Sequence, residues 1–375
     1  MSIHSGTAGG DSDTLATTTA VQDVDDALRQ LVAGVPAQHA ARDTLSQATA
    51  IVPDRRIRGS VPMEGQDGVF SQSWFPVCLA AEVPPGGVRG FDFLDGRVVV
   101  WRDATGRTRV TSAFCPHMGA SLEAGDIVGG NVRCAFHHWE FNGEGRCVRT
   151  AVGDTPPRHA GLFVFPVLER WGIVWAFNGE APLYDIPDFP FPSKELLFKT
   201  LVLPDLMPVD PWMQCANTPD IQHIKTLHRI EFDSDPYDRV AWTPYSMRYE
   251  FTGFFDSGTS GTWEVGIYGT SLYYQSAWLN GRWFGFMVPM GLTRPGFTRN
   301  YLLVAIQPSG DPEADEAFLN LCMLTELGIL GEDIGVFATM RFQPGSLTVS
   351  DRVLGRFFDY LRAYPRAHPS RDWLR

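Results

Sequence analysis

Two short segments, Cys115-Pro-His117 and Cys134-Ala-Phe-His137, stand sixteen residues apart and constrain this chain more than anything else in it. Each brings one thiol and one imidazole. Two thiolates on one iron and two neutral imidazoles on the other make a mixed-ligand [2Fe–2S] cluster, in which the histidines raise the reduction potential. Two Cys and two His also satisfy tetrahedral zinc. Zinc fingers usually pair Cys with Cys and His with His along the chain, whereas each segment here carries one of each. Gly119, Gly125, Gly129 and Gly130 surround the segments, and Trp139 closes the second.

The flanking sequence predicts a frame for these loops. From Phe70 to about Gly179, short β-branched and aromatic runs alternate with Gly, Pro, Asp and Asn. Trp74–Ala80, Arg97–Arg102, Arg109–Phe114, Leu162–Glu169 and Trp171–Phe177 read as strands of a small antiparallel β domain. Both Cys-His pairs then fall in loops at strand ends, where a rigid sheet presents them near the surface. The stretch 181–192 is Pro-rich and reads as a connection.

Beyond it, a helix near Thr218–Leu227 precedes strand candidates Ser246–Phe255, Thr262–Gly269, Ser271–Leu279, Arg282–Met290 and Thr298–Gln307. Helices are expected at Pro312–Leu324, Glu332–Phe342 and Val349–Ala363. Strands followed by helices make an α+β domain, an antiparallel sheet curved around a helix. The expected division is therefore an extension over 1–60, a cluster domain over 61–180 and a second domain over 181–375. The extension is small and polar and holds no aromatic residue, with helix candidates at Val21–Val32 and Ala37–Ala48 and a disordered start.

The 375 residues suffice for two full cores. A net charge of −12 argues against a nucleic-acid partner, which calls for a basic face. No run of eighteen apolar residues exists, so no membrane span is expected, and the N-terminus lacks the pattern of a secretory signal. Six cysteines make no disulfide scaffold. Cys78, Cys147, Cys215 and Cys322 read as free thiols, which fits a cytoplasmic protein.

A second constellation lies at Asp220-x2-His223-x4-His228. Two imidazoles and a carboxylate form the facial triad of non-haem Fe(II) oxygenases. Two histidines on a helix are more often plain surface or core residues, and positions i and i+5 lie about 140° apart around a regular helix. Convergence needs His228 at a frayed helix end or a π-bulge between the two. Asp220, with Pro219 before it, also suits simple stabilisation of a helix start.

The run CPHMGASLEAGDIVGGNVRCAFHHWEFNGEGRC resembles the Rieske domain of bacterial ring-hydroxylating oxygenases, and the Asp220/His223/His228 pattern is similar to the iron motif that follows it there. The phrases RWGIVWAF and RFFDYLRAYPR look closest to single-subunit members such as ketosteroid hydroxylases and aminopyrrolnitrin oxygenase. The resemblance covers roughly residues 70 to 365. It implies a Rieske [2Fe–2S] cluster on Cys115, His117, Cys134 and His137, leaving His138 as a neighbour of the ligands. It further implies mononuclear Fe(II) on His223, His228 and a late aspartate, for which Asp333 in Glu332-Asp333-Ile-Gly-Val336 fits. Asp220 would bridge the cluster of one subunit to the iron histidine of the next in a homotrimer, and the sheet would be of helix-grip type.

Carried further, the resemblance implies the oxygenase component of a multicomponent mono- or dioxygenase. Electrons would come from NAD(P)H through a separate reductase and a ferredoxin, since no G-x-G-x-x-G turn is present. The substrate would be an apolar aromatic or polycyclic small molecule, hydroxylated, N-oxygenated, desaturated or dealkylated. Phe254, Trp263, Tyr273, Trp278, Trp283 and Phe286 are offered by the strands, and alternation turns about half of them away from any one face. Ala120 and Phe136 stand where respiratory Rieske subunits carry an extra pair of cysteines, which points away from quinol oxidation. The rival reading is a Rieske electron carrier or ligand-binding protein with no working mononuclear iron.

Overall fold

The computed structural model describes residues 4–6, 24, 26–27, 60–255, 260–279, 281–343 and 347–374. The helix candidates at 21–32 and 37–48 lie outside these, apart from Val24, Asp26 and Ala27. His4–Gly6, expected to be disordered, instead pairs antiparallel with Phe198–Thr200. The edge strand there offers unpaired backbone groups that an extended segment can satisfy.

The N-terminal β portion holds three small antiparallel sheets. One joins Val88–Phe93, Gly96–Arg102 and Thr108–Ser112. The second runs Cys147–Arg149, Glu140–Phe141, Asn131–Arg133, Asp126–Val128. The third places Ile173–Phe177 between Val167–Arg170 and Trp74–Leu79. In the second, Gly129 and Gly130 link Val128 to Asn131 with φ of 56° and 87°. A two-residue turn with both φ positive matches the strand twist, and glycine takes that conformation without strain.

The C-terminal portion is built on a nine-stranded antiparallel sheet. Across it run His4–Gly6, Leu197–Met207, Phe297–Ile306, Arg282–Arg294, Leu272–Leu279, Ser260–Tyr268, Ser246–Phe255 and Ile230–Phe232, with Ala241–Thr243 also on Ser246–Phe255. The strand over 197–207 was not anticipated. Its alternation is broken by Pro204 and Asp205, where the register shifts between Val202 and Leu206.

Both faces of this sheet are covered. On one face, Phe251, Trp263, Ala277 and Phe284 form a cross-strand row, and Tyr249, Val265, Gln275 and Phe286 form the next. On the other, Tyr274, Met287 and Leu303 pack with Trp74, Trp175 and Phe177 of the cluster domain. Burial on both faces explains why these strands read as nearly continuous apolar runs.

Four helices complete the domain: α1 (Pro211–Cys215), α2 (Ile221–Thr226), α3 (Pro312–Phe337) and α4 (Arg352–Ala363). The two helices expected at Pro312–Leu324 and Glu332–Phe342 are one, and it ends at Phe337, short of the expected Phe342. Gly328, Gly331 and Gly335 weaken helix propensity between them, and packing of the buried stripe overrides that cost. Asp311 caps α3 by accepting from the Glu313 and Ala314 amides.

The Pro-rich stretch is packed rather than free. Ile186 and Phe189 are buried against the sheet, and Phe189 lies over Gly285, where any side chain would collide with its ring. The chain's last described residues return to the cluster domain. Arg366–Ala367 pairs with Phe70–Ser71, and the Leu374 carbonyl accepts from the Arg97 amide at 3.1 Å.

Candidate metal centres

The two Cys-His loops share one backbone design. The Cys115 amide donates to the Ala120 carbonyl, and the Cys134 amide donates to the Trp139 carbonyl, each at 2.9 Å. The carbonyls of Cys115 and Cys134 accept from the amides of Gly119 and His138. In both loops the fourth residue after the cysteine turns left-handed, with φ of 77° at Gly119 and 52° at His138. His138 therefore turns the loop, at the roughly 1–2 kcal/mol a side chain pays for that region.

This pairing brings the donors together. The His117 and His137 rings are 4.6 Å apart, and Cys115 and Cys134 are buried beneath them without a disulfide. Burial pushes the Cys115 thiol up to about 12, opposed by a hydrogen bond from the His117 amide and reinforced by Cys134 beside it. A bound metal would offset the cost of ionising the buried Cys115 thiol. The donor set thus fits an iron–sulfur cluster. His117 is exposed and His137 half-exposed, beside Met118 and Phe136 at 68% and 61% exposure. The histidine edge of the site faces outward within an apolar collar.

The second cluster of donors is built on α2 and α3. Asp220 is the N-cap of α2, its Oδ1 accepting from the His223 amide at 3.0 Å. The helix stops at Thr226, so His228 stands just past its end and escapes the helical angle. The His223 and His228 rings are 4.5 Å apart. Asp333, near the end of α3, projects between them. Its Oδ1 is 2.8 Å from His223 Nε2 and 3.5 Å from His228 Nε2. One donor atom from each of the three lies within 4.8 Å of the others.

Burial pulls the His223 pKa down, but the Asp333 hydrogen bond and charge outweigh it and leave the group raised. Two imidazole nitrogens and a carboxylate facing one another can hold a cation between them, and iron fits that set. His228 Nδ1 meets Glu332 Oε2 at 2.8 Å, an arrangement that fixes the ring and its tautomer. Among the described residues, His223 Nδ1 is buried without a hydrogen-bond partner.

The three donors open on a cavity of about 150 Å³ between α3 and the sheet. A single water needs roughly 10–15 Å³ by this measure, so the space suits a small organic molecule. Trp263, Tyr273 and Phe286 line it, with Tyr249, Phe251 and Phe284. Phe254 and Trp278 face solvent, and Trp283 packs on the opposite face against Phe189 and Phe191. Asn217, Gln275 and Glu326 were not singled out from sequence, and Glu332 was named only as part of the motif around Asp333. Glu326 precedes Asp333 by seven residues, a spacing that puts both on one helical face.

Comparison with known proteins agrees with this construction. The Rieske [2Fe-2S] domain family matches residues 73–160. Chlorophyllide a oxygenase of Chlamydomonas reinhardtii is 32% identical over 181 residues, 48% of this chain and 27% of that protein. Cholesterol 7-desaturase nvd of Bombyx mori is 34% identical over 125 residues, 32% of this chain and 28% of that one. The matches thus span less than a third of either relative. A caffeine-bound mutant of NdmA from Pseudomonas putida CBB5 shares the fold, with a TM-score of 0.62 at 19% identity over 78% of this chain and 89% of the other.

Proposed function

Taking the chain as a Rieske-type relative of the non-haem iron oxygenases, we propose that it is the oxygenase component of a multicomponent system. It would oxidise an apolar aromatic or polycyclic small molecule with O₂, in the cytoplasm. One observation carries the reading: a Cys₂His₂ set at the domain surface and a His₂Asp set facing an apolar cavity occur in one chain. A carrier of electrons alone has no use for the second.

Iron held by His223, His228 and Asp333 would supply dioxygen activation, with electrons arriving singly through the cluster. The chain's own residues do the rest. Glu332 orients His228, and the α2 N-cap fixes the His223 backbone. Phe251, Trp263, Phe284 and Phe286 exclude water and hold a flat ligand against the triad. Asp220 would link His223 to the cluster of a neighbouring subunit in a homotrimer, and the exposed collar at Met118 and Phe136 offers the docking surface. NAD(P)H would be used through a separate reductase, with a ferredoxin between.

The test is the iron count and its dependence on His223. Protein with both sites loaded should hold about three iron atoms per chain. His223→Ala should hold about two, keep the visible absorption of the cluster and lose incorporation of label from ¹⁸O₂. Zinc at the thiolates, or loss of colour in that variant, would overturn the reading.

A further inference from the structure

The buried residues of α3 are mostly apolar; Asp315, Asn320 and Glu326 are the polar ones, and the first two, toward its start, are bonded by Arg282 and Lys199. Met323, Leu327, Leu330 and Ile334 are buried along the helix, and Glu326 sits among them at 5% exposure. A carboxyl group in such a place is costly unless something compensates it. Among the described residues, no ion pair reaches Glu326. Burial pushes its carboxyl up to about 7, against the lowering effect of one hydrogen bond from Gln275.

That hydrogen bond belongs to a short relay. Tyr273 Oη donates to Gln275 Oε1 at 2.7 Å, and Gln275 Nε2 donates to Glu326 Oε1 at 2.6 Å. Tyr273 and Gln275 lie two apart on one strand and so share its inward face. The tyrosine fixes which way the amide points, and the amide in turn fixes the carboxyl. All three line the cavity that contains the triad. Glu326 lies two helical turns before Asp333, about 10 Å along α3, so it is remote from the metal donors and takes no part in holding them.

We propose that Glu326, positioned by Gln275 and Tyr273, anchors the substrate by accepting a hydrogen bond from an amine or hydroxyl on an otherwise apolar ring compound. This rests on the oxygenase reading of the same cavity. An apolar slot fixes where a flat molecule lies but not which end faces the triad, and one polar group at the far end settles that. Helix spacing sets the ruler: the donor group and the oxidised atom lie on opposite ends of a molecule about two rings long. A buried carboxyl with no ion pair among the described residues gains a second hydrogen-bond donor from such a ligand.

The matched probes biphenyl, 4-aminobiphenyl, 4-hydroxybiphenyl and 4-acetylbiphenyl test this on the full chain with both metal sites loaded. Binding is read by quenching of tryptophan fluorescence, since Trp263 lines the cavity, without O₂ or reductant. The amine and the phenol should bind about tenfold or more tighter than biphenyl, the range of a hydrogen bond to a charged group. Glu326→Leu should erase the amine preference, whereas the isosteric Glu326→Gln, whose amide oxygen still accepts, should keep a reduced one; cluster absorption reports that each variant has folded. Equal affinities in the wild type, a preference for the ketone, or an amine preference surviving in Glu326→Leu overturns the anchor. Iron content of the same samples is a separate readout. Two iron atoms per chain with the donor preference intact would sink the oxygenase reading and leave the anchor standing.

Discussion

The imidazole of His117 lies flat on the indole of Trp139, ring centroids 4.3 Å apart and planes 6° from parallel. Trp139 also supplies the carbonyl that closes the Cys134 loop, so one residue backs the histidine of one loop and ties down the other. An aromatic contact of this kind is worth about 1 kcal/mol beyond its buried area. Trp139→Leu should therefore lose the visible absorption of the cluster severalfold faster in air. An unchanged bleaching rate would show that the stack contributes nothing to retention.

Glu332 gives a more selective perturbation than loss of a donor. Its carboxylate holds His228 Nδ1 at 2.8 Å and leaves Nε2 aimed at Asp333. Glu332→Gln should weaken iron binding at the triad by about 10–100-fold, as loss of an orienting carboxylate commonly does. Iron retained during dialysis against a chelator measures this, and the cluster absorption should not move.

Asp220 combines a cap and a charge, and substitution separates them. Asparagine caps a helix about as well as aspartate. Asp220→Asn should keep the fold, both metal contents and thermal stability, while slowing single-turnover reduction of the triad iron by the cluster. Normal transfer in that variant would leave Asp220 as a cap only. Asp220→Ala should in addition cost about 1 kcal/mol of stability.

The buried acid of α3 predicts a pH signature. Its pKa rises on folding from 4.5 to about 7, so the folded state binds its proton more tightly than the unfolded state does. Stability linked to this group is present in full below about 4.5, falls as pH rises to about 7, and is flat above. The total is about 3 kcal/mol. Glu326→Gln should remove that decline, raising the melting temperature at pH 8 relative to wild type more than at pH 5. Equal shifts at both values would mean that the carboxyl is not desolvated in the folded chain.

Much of this was legible because ligand chemistry leaves tight spacing in a sequence. The four candidate cluster ligands are local, each pair closed by one turn, and the strand Ser246–Phe255 was found to the residue. His228 was harder, since its convergence with His223 depends on where α2 stops: the expected end at Leu227 lies one residue past the observed Thr226, and the sequence left a π-bulge open as the alternative. The continuity of α3 was misread because glycines signal a break locally, whereas the sheet that holds the helix together lies distant in sequence. Glu326 was invisible for the same reason. Its partner Gln275 is 51 residues away, and a lone glutamate in a helix carries no local mark.

The return of residues 366–374 to Phe70–Ser71 and Arg97 has a consequence for assembly. The first strand of the cluster domain finds its mate only after both cores have been synthesised. The clasp therefore closes last, and it holds the tail of the second domain on the same β unit that carries the two Cys-His loops. A chain stopped ahead of Arg366 would keep every candidate metal ligand yet leave Phe70–Ser71 without its pairing strand and the Arg97 amide without its acceptor.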